Sequence, residues 1–186
     1  MSDKSMSDTN QQKGWVIVYT GDGKGKTTAA LGMALRAAGH GNKTAIVQFI
    51  KSDWPYGEKE SLKKLAPEVT MVTLGAGCIG IMDDDKPLDE HRRAAQEALQ
   101  KACEIILSDQ YDIVVLDEIN IAPSLGLIEV DDIINLIKNR PDRTNLVLTG
   151  RNAPEKVIEL ADLVTEMREI KHPFRQGQLS RKGIDH

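Results

Sequence analysis

The feature that most constrains this chain is the stretch "VIVYTGDGKGKTTAALG", from Val16 to Gly32. An apolar run leads into a loop with three glycines and two lysines, and an alanine-rich helical pattern follows at once. A strand–loop–helix of this kind gathers backbone N–H groups and the positive end of a helix dipole around one point. That is a polyphosphate cradle. The usual spelling is G-x-x-x-x-G-K-[ST]; here Gly25-Lys26-Thr27 fits, while Thr20 stands at the opening position. The substitution leaves the physics intact, because Gly21, Gly23 and Gly25, with Asp22 and Lys24 between them, still let the backbone curl around phosphate oxygens. Lys26 is expected to reach the terminal phosphates and the Thr27 hydroxyl to ligate Mg²⁺, with Thr28 beside it. The alternative is a glycine-rich turn that merely enters a helix; the strand before, the helix after and the full G-K-T-T favour phosphate. The loop does not say whether that phosphate is an energy source, a phosphoryl donor or a leaving group.

The rest of the chain repeats the strand-then-helix rhythm. "KTAIVQFI", "VTMVTL", "YDIVVLDE", "NLVLTG" and "LVTEMREI" read as strands. "KESLKKLA", "LDEHRRAAQEALQKACEIIL", "EVDDIINLIKN" and "PEKVIELA" read as helices. This alternation predicts an α/β fold: a P-loop NTPase-like, RecA-like, mostly parallel sheet of five or six strands with helices on both faces. Ligands on such sheets bind at the carboxyl ends of the strands, where every candidate residue falls. With 186 residues and no internal repeat or linker, a single domain over 14–186 is expected. The polar residues 1–13 are expected to be mobile or to order over a ligand, and an irregular tail begins near 171.

A net charge of −4 argues against a dedicated nucleic-acid binder. No apolar run is long enough to span a bilayer, so no membrane role is expected. Two cysteines, Cys78 and Cys103, form no paired framework, and a zinc site is disfavoured; a reducing cytoplasm is the default expectation.

Four further groups carry chemistry. Asp117-Glu118 closes an apolar strand, where one carboxylate approaches a P-loop metal directly or through water; an acidic pair facing solvent is the alternative. Arg151 follows "LVLTG" at a strand end, where its fork of donors suits phosphate. Arg36, nine residues past Thr27, is balanced between phosphate contact and a solvated surface. Gln48, Lys51, Trp54 and Glu58 follow the second strand, and Trp54 is read first as a surface anchor and second as a ligand platform. "KHPFRQGQ" reads as a lid or phosphate-contacting tail, or else as a docking or disordered one. Met71, Met82 and Met167 read as core filler.

In order along the chain, "YTGDGKGKTTAALG", "AIVQFIK…WPYGE", "VVLDEIN", "LTGR" and "IKHPF…G…GID" resemble the P-loop type of cob(I)alamin (corrinoid) adenosyltransferase. The resemblance covers nearly everything from Trp15 onward. It implies that ATP donates an adenosyl group: the Co(I) of a reduced corrinoid attacks the ribose C5′ and triphosphate leaves. It further implies ATP held reversed in the loop, Mg²⁺, a flavoprotein electron donor and a possible homodimer. By position, ATP contacts carry over to Gly21, Asp22, Gly23, Lys24, Gly25, Lys26, Thr27, Thr28, Arg36 and Arg151. Metal contacts carry over to Thr27 and Glu118, and the catalytic set becomes Lys26, Thr27, Glu118 and Arg151. The sequence departs from the family where members carry an F-T-W aromatic pair after the third strand. "GAGCIGIM" stands there instead, with Cys78, Ile79 and Gly80 in place of the trio and Ile79, Ile81 or Met82 as candidates for an apolar wall. A different corrinoid or a heavier dependence on the reductase are the other readings. That departure also motivates a second expectation, a nucleotide- or corrinoid-binding module with little turnover. A P-loop ATPase or kinase is the third.

Overall fold

The computed structural model describes residues 13–51, 56–77 and 86–185. Trp54, Cys78, Ile79, Gly80, Ile81 and Met82, and the amino-terminal stretch 1–12, lie outside the described residues. The strands are β1 (Val16–Thr20), β2 (Thr44–Gln48), β3 (Val69–Thr73), β4 (Ile113–Asp117), β5 (Asn145–Thr149) and β6 (Leu163–Glu166). The helices are α1 (Lys26–Ala38), α2 (Gly57–Lys63), α3 (Leu88–Leu107), α4 (Val130–Asn139) and α5 (Glu155–Leu160). Every strand pairing is parallel, in the order β3-β2-β4-β5-β1-β6. All strand carboxyl ends therefore lie along one edge. β5 separates the P-loop strand β1 from the acidic strand β4, which is the RecA-like arrangement anticipated from the sequence.

Side-chain alternation sorts the core into two layers. Val16, Val18, Val114, Leu116, Leu146 and Leu148 pack with α3, α4 and α5 on one face. Ile17, Val115 and Val147 pack with α1 and α2 on the other. Strands buried on both faces must be apolar at nearly every position, hence "VIV", "IVVL" and "LVL". Two of the helices meet the sheet largely through alanine: Ala30, Ala34 and Ala37 on α1, and Ala95, Ala98 and Ala102 on α3. Small residues three or four apart put a narrow flat stripe against the strands and bring the helix axis close.

Two boundaries differ from the sequence expectation. The ladder of β2 stops at Gln48, and Phe49 then donates its N–H to the carbonyl of Asp117 at 3.0 Å. The last strand stops at Glu166, short of "MREI", and all four of its residues are exposed. β6 is an edge strand pairing only with β1, and the chain beyond it turns onto the P-loop.

Leu148 is fully buried near the carboxyl end of β5. Leu148→Ala is expected to cost about 2–5 kcal/mol through lost transfer energy and a residual cavity. Urea unfolding should show a lower midpoint at unchanged slope.

Candidate active site

The P-loop takes its shape from two demands. Gly21 and Gly25 have φ of 92° and 109°, a region that residues with a Cβ adopt only under strain. The loop is also crowded from behind by the chain that follows β6. The Gly23 N–H donates to the carbonyl of Met167 at 2.7 Å, and the Met167 N–H donates to the carbonyl of Thr20 at 2.8 Å. A Cβ on Gly23 would lie 2.8 Å from the carbonyl of Arg168, and one on Gly21 would lie 2.5 Å from that of Met167. These glycines thus serve the backbone strap of residues 167–168 as well as a phosphate. Met167 is accordingly no core filler: it is half-buried, with its sulfur against Gly25.

Lys26 is buried, and its ammonium donates to the carbonyls of Gly21 and Gly23, both at 2.8 Å. Burial pulls its pKa below the usual lysine value, so an anion in the loop would be strongly favoured beside it. Arg151 follows Gly150, whose φ is 129°. Its guanidinium lies 4.0 Å from the Asp22 carboxylate and 3.5 Å from the Asp22 carbonyl. Asp22, Gly23, Lys24, Gly25, Lys26, Thr27, Thr28, Glu118 and Arg151 share one cleft of about 750 Å³. Gly21 sits at its base through the Lys26 contact. Arg36 stands apart: it is exposed in the last turn of α1, roughly 13 Å of helix rise from Thr27.

The acidic pair divides its labour. Asp117 is buried, and its carboxylate accepts on every side. Oδ1 takes the hydroxyls of Thr27 (2.8 Å) and Thr149 (2.7 Å); Oδ2 takes the Gln48 amide (3.0 Å) and faces the Lys51 ammonium (3.4 Å). Glu118 has φ 63°, a strained left-handed backbone for a residue with a Cβ, of the order of 1–2 kcal/mol. Its N–H donates to Thr149 Oγ1 at 3.0 Å, which holds the turn. The strain directs the Glu118 carboxyl into the cleft. Desolvation, then the neighbouring Asp117, raises its pKa. Because Thr27 spends its proton on Asp117, its lone pairs face the cleft beside that carboxyl.

The remaining walls come from farther along the chain. Lys51, Glu58 and Ser61 line one side, and Glu169, His172, Phe174, Ile184 and Asp185 line the other. The tail is a short 3-10 turn (Pro173–Gln176) followed by turns, tied back by ion pairs of Arg175 with Glu169 and of Asp185 with Lys24. Burial lowers the Lys51 pKa, but Asp117 and Glu58 outweigh it and the net shift is upward. Sequence reasoning missed Thr149, Asn120 and Asp185. Thr149 is the threonine of "LTGR". Asn120, of "DEIN", is fully buried and spans the β4 and β5 ends by donating to the Leu148 carbonyl at 3.3 Å and accepting none itself. Only the motif spellings hinted at either.

A buried carboxyl with a raised pKa is one whose ionised form disfavours the fold. Glu118→Gln is therefore expected to raise stability above the parent at neutral pH, the difference shrinking as pH falls through the raised pKa and vanishing below the unfolded value. Denaturant melts of both proteins from pH 4 to 8, without nucleotide, check the sign.

Comparison with known proteins agrees with this geometry. Residues 12–186 match the model of the family described as ATP:corrinoid adenosyltransferase BtuR/CobO/CobP. A corrinoid adenosyltransferase of Sinorhizobium sp is 43% identical over 98% of this chain and 85% of its own length. One from Escherichia coli K12 is 34% identical over 99% of this chain and 91% of its own. Among solved structures, the flagellar accessory protein FlaH of Methanocaldococcus jannaschii superposes with a TM-score of 0.56 at 13% identity, covering 83% of this chain and 71% of that one, a likeness of fold alone. With the family model matched from ahead of β1 through the tail that closes the cleft, the chain belongs to the ATP:corrinoid adenosyltransferase family.

Proposed function

We propose that this protein transfers the 5′-deoxyadenosyl group of ATP to the cobalt of a reduced corrinoid, with residues 14–186 acting as one domain. The observation that carries the reading is a complete P-loop whose cleft offers cations and metal-side oxygens, in a chain matched to the family over residues 12–186. Asp117, which accepts from Thr27, is taken up by four donors, and Glu118 sits beside Thr27 at the metal position.

Co(I) brings its own electron pair and no proton. Its pair forms the Co–C5′ bond, the C5′–O bond breaks, and the bonding electrons leave with the triphosphate. The chain's task is geometry and charge. The P-loop N–H groups, Lys26 and Arg151 hold the triphosphate and stabilise the charge that grows as it departs. Gly21, Asp22, Gly23, Lys24, Gly25 and Thr28 complete the cradle; Arg36, distant on α1, would reach ATP only at an outlying atom.

The donor set suits Mg²⁺: a threonine hydroxyl with free lone pairs and a carboxyl beside it are hard oxygens. Thr27 and Glu118 would hold the ion. Among the described residues no group of three or more His, Cys, Asp or Glu could hold one unaided, so phosphate oxygens and water would complete its shell. Bound there, Mg²⁺ supplies countercharge to the triphosphate.

The same reading assigns a flavoprotein electron donor that delivers Co(I), a homodimeric state and a cytoplasmic setting, each supported by the likeness to the family. Among the described residues no helix is long and apolar enough to cross a membrane.

The test is an anaerobic assay with chemically generated cob(I)alamin, ATP and Mg²⁺. Adenosylcobalamin should form, and Lys26→Ala should raise the barrier by roughly 3–4 kcal/mol, as loss of an oxyanion donor does. Tight ATP binding with no spectral change would instead identify a binding module. A Lys26→Ala rate near that of the parent would remove the leaving-group role from Lys26.

A further inference from the structure

Among the described residues, Lys51 is a half-buried cation in the cleft that the reaction as described does not use. The chain just ahead of it is fixed twice: the Phe49 N–H donates to the Asp117 carbonyl at 3.0 Å, and the Ile50 carbonyl accepts from Gly77 N–H at 3.0 Å. Its side chain is only 17% exposed. The ammonium lies 3.4 Å from Asp117 Oδ2, 3.3 Å from Glu58 Oε1 and 5.1 Å from the centre of the Tyr56 ring. The ammonium thus has two carboxylates and one aromatic face about it, and an ammonium is withdrawn from water at tolerable cost only when it is paired in this way.

The two carboxylates it joins belong to different walls of the cleft. Asp117 lies behind the P-loop and orients the Thr27 hydroxyl. Glu58 stands in the first turn of α2, a helix of seven residues whose one buried side chain is Leu62. So short a helix is weakly fixed by its own packing. The ion pair supplies the missing anchor at its amino-terminal end, and Glu58 and Ser61 face the cleft from there. Without the ammonium, Oδ2 of Asp117 would keep only the Gln48 amide, and the carboxylate that aims Thr27 would be held on that side by one donor in place of two.

We propose that Lys51 is a positioning residue of the adenosyl-transfer site, locking the Asp117 carboxylate that aims Thr27 and tying it through Glu58 to the α2 wall. The inference rests on the proposed function for its catalytic readout, but its binding readout stands independently.

Lys51→Met keeps the stem and removes the charge. Loss of a group that orients a metal-side ligand typically costs about 10–100-fold in activity or metal affinity. The expected result is a fall of that size in kcat with the corrinoid KM little changed, and a matching rise in the Mg²⁺ concentration needed for half-maximal ATP binding. Lys51→Arg, whose fork can bridge both carboxylates, should recover most of both losses. Should Lys51→Met fail to fold, Glu58→Gln should speed amide exchange across residues 57–63 and lower kcat in the same sense. Wild-type Mg²⁺ dependence and kcat in Lys51→Met would overturn the proposal, as would Lys51→Arg being as impaired as Lys51→Met. If the wild-type protein makes no adenosylcorrinoid, the functional reading fails, and the Mg²⁺ titration of ATP binding still decides the role of Lys51.

Discussion

The site is organised around one buried carboxylate. Asp117 accepts from Thr27 at the start of α1, from Thr149 at the end of β5, from Gln48 at the end of β2, and faces Lys51 on the loop beyond. Leaving such a group short of partners in a low-dielectric interior costs far more than any single bond gains. Four segments far apart in sequence are therefore drawn to one point, and the strand edge acquires a fixed geometry. The Gln48 amide passes the constraint outward: its oxygen accepts from Thr73 at 3.0 Å, which brings β3 into the same network.

From this point the chemistry divides along the chain order of the acidic pair. Asp117 faces inward and acts by orienting other groups. Glu118, one residue on, is turned outward by a left-handed backbone and keeps its carboxyl for the cleft. A strained residue persists only where its surroundings over-determine it; here the Thr149 hydroxyl does so, bonding the Glu118 N–H and the Asp117 side chain at once. Behind the P-loop, the strap at 167–168 plays a comparable part. It bonds the loop backbone and makes the loop rigid before any anion arrives, which lowers the ordering cost of binding.

Much of this was legible in the sequence, for physical reasons that can be named. The strands "VIV" and "IVVL" are apolar throughout because both faces are covered, and G-K-T-T between strand and helix has few other uses. Asp117, Glu118 and Arg151 fell at strand ends and Lys26 and Thr27 at a helix start; Lys26, Thr27, Glu118 and Arg151 do line one cleft, with the buried Asp117 bonded to Thr27. What could not be read were pairings between distant segments. Nothing near Met167 announces that its carbonyl binds Gly23, so a half-buried methionine passed for core. Nothing in "WPYGE" shows that Glu58 closes on Lys51. The exposure of β6 was equally hidden, since an edge strand is defined by the neighbour it lacks.

The account turns on the phosphates of ATP leaving as a unit after attack at carbon. The most direct measurement uses ATP carrying ¹⁸O in the bridge between C5′ and the α-phosphorus, turned over once with cob(I)alamin under anaerobic conditions, with the label followed by mass spectrometry. Cleavage of the C5′–O bond predicts that all of the label appears in triphosphate, in equal amount to adenosylcobalamin. Label retained on a nucleoside or in ADP, with inorganic phosphate released, would contradict it and return the P-loop to ordinary phosphoryl chemistry.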